Sequence, residues 1–143
     1  MPTISFFEQD ISFKLKHPGK TRAWIKKVIH SENQELAHLN FIFCSDTYLL
    51  TINQQYLNHN TYTDIITFDN RESDGAIEGD IFISIDRIKE NAEKLGVPFD
   101  DELHRVIIHG VLHLLGYGDK TPAEKSAMRK KEDACLSLRQ VRD

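Results

Sequence analysis

The chain has few residues of the kinds that mark secreted, fibrous or membrane proteins. Its 143 residues include only two cysteines, four prolines and seven glycines. Because Cys44 and Cys135 are far apart, a cysteine-rich metal knuckle is excluded, and both are interpreted as small buried apolar groups. No stretch approaches the roughly 18 apolar residues of a membrane span, and the amino terminus has no basic flank before an apolar run. The sequence therefore predicts a cytoplasmic protein with no membrane partner.

An excess of positive charge is also missing. The chain has 18 Lys and Arg against 22 Asp and Glu, a formal net charge of -4 and a pI near 6.0. A general nucleic-acid binder would be strongly basic, so binding to DNA is not expected. Basic residues do cluster between Lys14 and Lys27 and between Arg129 and Arg142. These clusters are either solvated helix faces or a track for RNA.

Length and composition fit one ordinary globular domain. A chain of 143 residues with 40% hydrophobic and 28% charged residues can bury one continuous core without disulfides. We find no internal repeat, low-complexity tract or linker, so residues 1–143 are predicted to form a single domain. The fold class predicted is α+β, a small domain with a mixed sheet packed by helices.

The periodicity of apolar residues places the elements along the chain. Short runs rich in Ile and Phe predict strands at Thr3–Glu8, Ile11–Leu15, Leu39–Cys44, Asp64–Phe68 and Glu78–Ser84. Helical spacing and capping residues predict helices from Pro18 to about His30, Asp46 to about Leu57, Asp86–Leu95, Asp100–Leu115 and Pro122 to about Leu138. The helix that Asp100 is expected to cap is apolar on most sides, which predicts a buried position.

This buried helix contains the run HGVLHLLGYGD at residues 109–119. Positions four apart lie about 40° apart around a helix axis and roughly 6 Å along it, so the imidazoles of His109 and His113 project from one face. Gly116 can take the left-handed conformation that ends a helix, and Gly118 lets the chain turn back towards Asp119. Two His and one carboxylate leave a place for water, as in catalytic zinc sites. The run predicts one divalent metal ion, zinc foremost, bound by His109, His113 and Asp119.

The paired histidines also have a purely structural interpretation. A pair four residues apart arises readily by chance in a chain with seven His, and both rings could donate to backbone carbonyls inside a core helix. The carboxylate at a fixed distance beyond the glycine favours the metal. Two imidazoles and a carboxylate beside so apolar a helix need a compensating partner, and an ion supplies one.

The spacing of these residues is similar to that of the metzincin proteases, with one difference. Position 110 is Gly, where those proteases have the Glu that acts as general base. Without that proton acceptor the mechanism of peptide hydrolysis is incomplete, so a zinc-dependent protease is the second interpretation.

Three blocks of sequence then indicate a particular family. They are NQQY at 53–56 with TDIITF at 63–68, GDIFIS at 79–84, and HGVLHLLGY at 109–117. Met128 and Glu132 fit the family's last helix. In order and spacing the chain resembles the YbeY-type endoribonucleases, the bacterial rRNA maturation factors.

This resemblance implies both a fold and an activity. The fold would be zincin-like, and the activity a metal-dependent cut in single-stranded RNA. The family's role would be to mature the 3′ end of 16S rRNA and to take part in ribosome quality control, with the small ribosomal subunit as partner. A further alternative is a non-catalytic ribosome-assembly factor in which the metal is structural.

The chain departs from the family pattern at two places that matter for chemistry. Where the family ends its third block with Asp-His, this chain has Gly118 and Asp119, so the third ligand would be a carboxylate, which zinc also accepts. Where the family has Arg after the Tyr of the first block, this chain has Leu57. Another cation must then face the scissile phosphate, and the basic residues considered for that role are Arg71, Lys14 and Arg22.

Other polar residues receive less specific predictions. Thr67 and Asp80 are predicted to orient a metal-bound imidazole, since such rings donate their other N–H to an oxygen. His104 is about 140° around the helix from the first of the paired histidines, which predicts a surface position. His59 faces either a cleft or solvent, and Trp24 is expected in the core. Beyond a metal-bound water, the sequence assigns no catalytic or substrate-binding residue.

Overall fold

The structure is a computed structural model that describes residues 2–59, 61–72 and 75–139. Within these residues the chain forms four strands and five helices. The strands are β1 (Thr3–Gln9), β2 (Leu36–Cys44), β3 (Ile65–Asp69) and β4 (Ile77–Ser84). The helices are α1 (Pro18–Ser31), α2 (Asp46–Leu57), α3 (Ile85–Leu95), α4 (Phe99–Leu114) and α5 (Pro122–Ser137). None of these five helices is long and apolar enough to cross a bilayer.

The four strands form one mixed sheet in the order β1-β2-β4-β3. The pairs β1 with β2 and β2 with β4 are parallel, and β3 runs antiparallel to β4 at the edge. Parallel strands need crossover connections, which α1 and α2 with β3 provide here. The α+β class predicted from the sequence is confirmed, and the sheet presents β3 as the edge strand nearest to α4.

Helix α4 packs across the sheet and carries much of the core. Buried apolar residues of α4 pack with those of α1, β2 and β4, and this core includes Ile25, Ile29, Leu39, Phe41, Ile81, Ile83, Leu103, Ile107, Ile108, Val111 and Leu112. Burying such side chains stabilises a fold by about 1.5–3 kcal/mol each. The helix is therefore held rigidly, and its one partly exposed face has a fixed orientation.

Gly110 sets the distance between α4 and the sheet. A Cβ atom at this position would lie 2.9 Å from Cδ1 of Ile65 and 3.2 Å from Cδ1 of Ile81. Any side chain larger than hydrogen would push the helix away from β3 and β4. The glycine thus allows α4 to pack closely on the sheet, and the side chain of a glutamate at this position would point into the sheet.

Two local predictions about the backbone were wrong. Residues 11–15 form no strand, because Asp10 adopts φ +62° and turns the chain away from the sheet edge. The side chains of Ile11, Phe13 and Leu15 pack against the core instead. Helix α4 begins at Phe99 with no side-chain cap, so Asp100 is not its capping residue. Its carboxylate lies in the first turn, where a negative charge interacts favourably with the helix dipole.

The surface position predicted for His104 was also wrong. Its side chain is buried because α1 packs over the side of α4 that faces away from the paired histidines. The Nδ1 atom lies 2.8 Å from the carbonyl oxygen of Asp100, and the ring centroid lies 5.8 Å from that of Trp24. The core position predicted for Trp24 is confirmed. Cys44 and Cys135 are buried free thiols, as expected.

Candidate metal centre

The partly exposed face of α4 presents His109 and His113 one turn apart. Their ring centroids lie 4.6 Å apart, and the rings are nearly perpendicular at 84°. Side-chain exposures of 23% and 30% leave both rings open to the same side of the molecule. The helix geometry alone accounts for this convergence, since residues i and i+4 lie on one face.

A tight turn after α4 brings Asp119 back to the two rings. Gly116 has φ +111°, and the N–H of Tyr117 donates to the carbonyl of Leu112, which is the Schellman pattern that ends a helix. Beyond Asp119, Thr121 and Glu124 form a capping box that starts α5. The third side chain is thus fixed between the end of one helix and the beginning of the next.

The three side chains converge on one point. Oδ2 of Asp119 lies 3.3 Å from Nε2 of His109 and 3.2 Å from Nε2 of His113. One ligand atom from each residue lies within 4.8 Å of the other two. Imidazole nitrogen and carboxylate oxygen are donors that zinc accepts, and three such ligands leave one tetrahedral position for water. This group could therefore hold a divalent ion with an open coordination position.

Glu132 on α5 contacts the far side of the His109 ring. Its Oε2 lies 2.6 Å from Nδ1 of His109, and its Oε1 accepts a 2.8 Å bond from Nη1 of Arg105. Arg105 also donates from Nη2 to Asp133 at 2.6 Å. A buried carboxylate fixed at both oxygens directs Nε2 of His109 towards His113 and Asp119.

Charge and burial have opposite effects on the pKa values of His109 and Glu132. Burial disfavours the charged ring of His109, but the hydrogen bond and charge of Glu132 prevail and raise the pKa of His109. Burial likewise disfavours the Glu132 carboxylate, but the bonds from His109 and Arg105 hold its pKa below the ordinary value. The carboxylate is thus ionised and keeps Nδ1 as the protonated nitrogen.

Neither residue predicted to orient the imidazole is hydrogen-bonded to His109 or His113 in the described part of the chain. Asp80 bonds through its two carboxylate oxygens to the side chains of Asn40 and Asn70, and Thr67 lines a cleft from β3. The orienting contact is made by Glu132, which the sequence analysis noted only as a family match. Glu132 lies 23 positions after His109 on a different helix. The hydrophobic periodicity of each helix does not show which of its residues face the other helix.

Two adjoining spaces open beside the three converging side chains and share Asp64, Ile65, His109 and Asp119. The larger one, the β3 cleft, has a volume of about 780 Å³ and is also lined by Leu57, His59, Thr67, His113 and Lys120. The smaller one, the α5 pocket, has a volume of about 410 Å³ and is also lined by Glu102, Arg105, Val106, Lys125, Met128, Arg129 and Glu132. A bound polymer could therefore cross the candidate metal centre from one space to the other.

The basic residues considered as substitutes for an Arg at position 57 are engaged elsewhere. Arg71 donates to Gln34 and to the carbonyl of Leu114. Arg22 donates to the carbonyl of Ile4, and Lys14 lines a separate hollow beside α1. Cations that do line the two spaces are Arg105, Lys120, Lys125 and Arg129. Helix α5 and the turn before it are thus the main source of positive charge at the centre.

Comparison with known proteins shows the family of the chain. The family model for endoribonuclease YbeY matches residues 5–139, a range that contains every residue of the centre. The chain belongs to the endoribonuclease YbeY family. Similar relatives named endoribonuclease YbeY come from Cytophaga hutchinsonii, 55% identical over 96% of both chains, and Flavobacterium psychrophilum, 51% identical over 95% of this chain and 96% of the relative.

A solved structure is similar in fold. The solution structure of a protein from Thermotoga maritima matches with a TM-score of 0.65 at 24% identity, covering 95% of this chain and 91% of that one. At this identity the likeness supports the fold alone. The family assignment rests on the curated relatives, which match over nearly the whole chain.

Proposed function

We propose that this protein is a metal-dependent endoribonuclease that cuts single-stranded RNA and matures the 3′ end of 16S rRNA. Its partner would be the small ribosomal subunit in the cytoplasm, where it would also serve ribosome quality control as a single domain. The observation that carries the proposal is the convergence of His109, His113 and Asp119 beside an open cleft in a member of the endoribonuclease YbeY family.

The three converging side chains would hold the ion, for which zinc fits the donors best. A bound ion supplies a Lewis acid for a phosphate oxygen and lowers the pKa of a water ligand. Glu132 and Arg105 would keep His109 oriented by the contacts described above. Lys120 lines the β3 cleft next to Asp119, where its ammonium group would attract the phosphate backbone of the substrate.

Two observations count against the alternatives. Gly110 occupies the position at which a protease of similar spacing needs Glu, and even a Cβ there would meet Ile65 at 2.9 Å. A structural zinc is normally closed by four protein ligands. The ligands here have side-chain exposures of 23%, 30% and 39% and border a cleft, which favours a catalytic centre.

The test combines metal analysis with RNA cleavage. The protein is purified, its metal content is measured by mass spectrometry, and single-stranded and duplex RNA are offered as substrates. His113→Ala should lose the bound ion and at least 100-fold of the cleavage rate, by analogy with other metal-dependent hydrolases. His30→Ala, at an exposed position on α1, is the matched control. Cleavage by metal-free His113→Ala protein at the wild-type rate would refute the mechanism.

A further inference from the structure

The α5 pocket has the size and walls of a site for a flat ring. Its volume of about 410 Å³ falls within the roughly 300–1,000 Å³ range of small-ligand sites. Ile65, Val106 and Met128 supply apolar walls. Apolar walls next to a cleavage centre suit an unstacked base, because single-stranded RNA is recognised with its bases turned out of the stack.

One acidic side chain in this pocket makes no hydrogen bond to a described residue. Glu102 is 8% exposed and lines the pocket, yet its carboxyl group makes no hydrogen bond or ion pair with any residue of 2–59, 61–72 or 75–139. Burial, with the neighbouring charge of Asp64, raises its pKa, although the charges of Arg105 and Arg129 oppose that shift. Its oxygens are not buried and unsatisfied atoms, so they face the open space of the pocket, where N–H donors of a ligand would replace water.

Positive charge in this pocket comes from α5. Lys125 and Arg129 stand one turn apart on α5 and line the pocket, and neither side chain forms an ion pair in the described part of the chain. Arg105 is different, since Glu132 and Asp133 already occupy its guanidinium. The pocket therefore offers a hydrogen-bond acceptor from α4 and donors from α5.

We infer that the α5 pocket binds a guanine base next to the scissile phosphodiester, so that it gives the nuclease a sequence preference. Glu102 accepts from N1–H and the N2 amino group of guanine, and Arg129 donates to O6 and N7. Guanine alone among the four bases has two adjacent N–H donors on one edge and two acceptors on the other. Adenine and cytosine place an acceptor nitrogen beside their amino group, which would face the carboxylate. This inference rests on the proposed function.

The first test uses oligouridylates that contain one internal guanosine, inosine or adenosine. Wild-type protein with zinc should cut next to guanosine about tenfold faster in kcat/KM than next to adenosine, since one good bidentate pair contributes about 1–3 kcal/mol of discrimination. Inosine, which lacks the N2 amino group, should fall between them. Equal cleavage of all three oligonucleotides would overturn the inference while leaving the nuclease activity established.

Variants then assign the preference to the pocket. Glu102→Gln should reduce the guanosine preference to near unity, whereas Asp101→Asn, an exposed carboxylate in the same turn of α4, should retain it. Arg129→Gln gives a second variant at a position that does not support the core, with exposed Lys130→Gln as its control. A guanosine preference that persists in both Glu102→Gln and Arg129→Gln would contradict the assignment.

A binding measurement separates this inference from the proposed function. Guanosine and adenosine 5′-monophosphates are titrated into the wild-type protein and followed by two-dimensional NMR. The guanosine nucleotide should bind about tenfold more tightly and shift amide signals around Glu102 and Met128. Selective binding without any RNA cleavage would refute the proposed function but support guanine binding in the α5 pocket. Equal binding of the two nucleotides with intact RNA cleavage would refute guanine recognition by the α5 pocket and leave the proposed function standing.

Discussion

The Nδ1 atom of His109 and the Oε2 atom of Glu132 lie 2.6 Å apart and join the third turn of α4 to the last turns of α5. The other carboxylate oxygen of Glu132 is held by Arg105. Such a contact fixes which ring nitrogen remains for an ion and how the ring is turned, because a metal-bound imidazole is oriented by the acceptor of its second N–H. The contact makes Glu132 a positioning residue for the candidate metal centre.

Replacing Glu132 by Gln should weaken metal binding without removing a ligand. Gln keeps the size and one acceptor oxygen but loses the charge that favours the protonated Nδ1 of His109. The expected loss of zinc affinity is about 10–100-fold, the range typical of such partners. Affinity is measured by competition with a chromophoric chelator, and Glu90→Gln, on exposed α3 surface, is the control. Unchanged affinity in Glu132→Gln would show that the contact has no positioning role.

Gly116→Ala should disturb both the fold and the metal centre. At φ +111° an alanine is strained, which costs about 1–2 kcal/mol, and relief of that strain would shift Asp119 away from the two rings. Urea unfolding measures the first effect and chelator competition the second. Gly19→Ala is the matched control, because a Cβ there meets nothing within 4 Å. Equal stability and zinc affinity of the two variants would contradict this account of the turn.

Gly110→Ala should destabilise the protein through its contact with the sheet. The added methyl group meets Cδ1 of Ile65 at 2.9 Å, and overpacking of this kind costs about 1–3 kcal/mol, more than the roughly 1 kcal/mol that alanine gains in helix propensity. Ile65→Val removes the contacting atom. In urea unfolding the double variant should therefore be more stable than the sum of the single changes predicts. Strict additivity would argue against the contact.

Acid should destabilise the fold through His104. Burial lowers the pKa of this ring, and the charge of Arg139 lowers it further. The carbonyl and the carboxylate of Asp100, together with the charge of Asp101, oppose that shift. Because the folded pKa lies below the unfolded value of 6.5, the unfolded chain binds more protons as pH falls below that value. Stability is then lost at up to about 1.4 kcal/mol per pH unit.

The measurement for His104 compares unfolding free energies between pH 7.5 and 5. His104→Gln, which cannot take up the proton, should show a shallower decrease than the wild type. Both proteins are measured with excess chelator, so that release of a metal ion at low pH affects neither. Parallel curves for the two proteins would remove His104 as the source of acid sensitivity.

Local patterns predicted most of the elements but not the contacts between them. Alternation and helical spacing located four strands and five helices to within a few residues, because these periods belong to single elements. The residues His109, His113 and Asp119 could be grouped because one helix face and one glycine turn bring them together. Glu132 could not be found in this way, and neither could the burial of His104 beneath α1. Both depend on how separate helices pack.

The position of Asp119 between two helices has a consequence for the molecule without its ion. An ion held by α4 and by the residue that precedes α5 would cross-link two elements that otherwise meet through side-chain packing. Ligand binding to the folded state alone adds RT ln(1 + [L]/Kd) to its stability, and that gain would be concentrated where α5 joins the body. Hydrogen exchange of the α5 amides should therefore report metal occupancy more sensitively than exchange anywhere in the sheet.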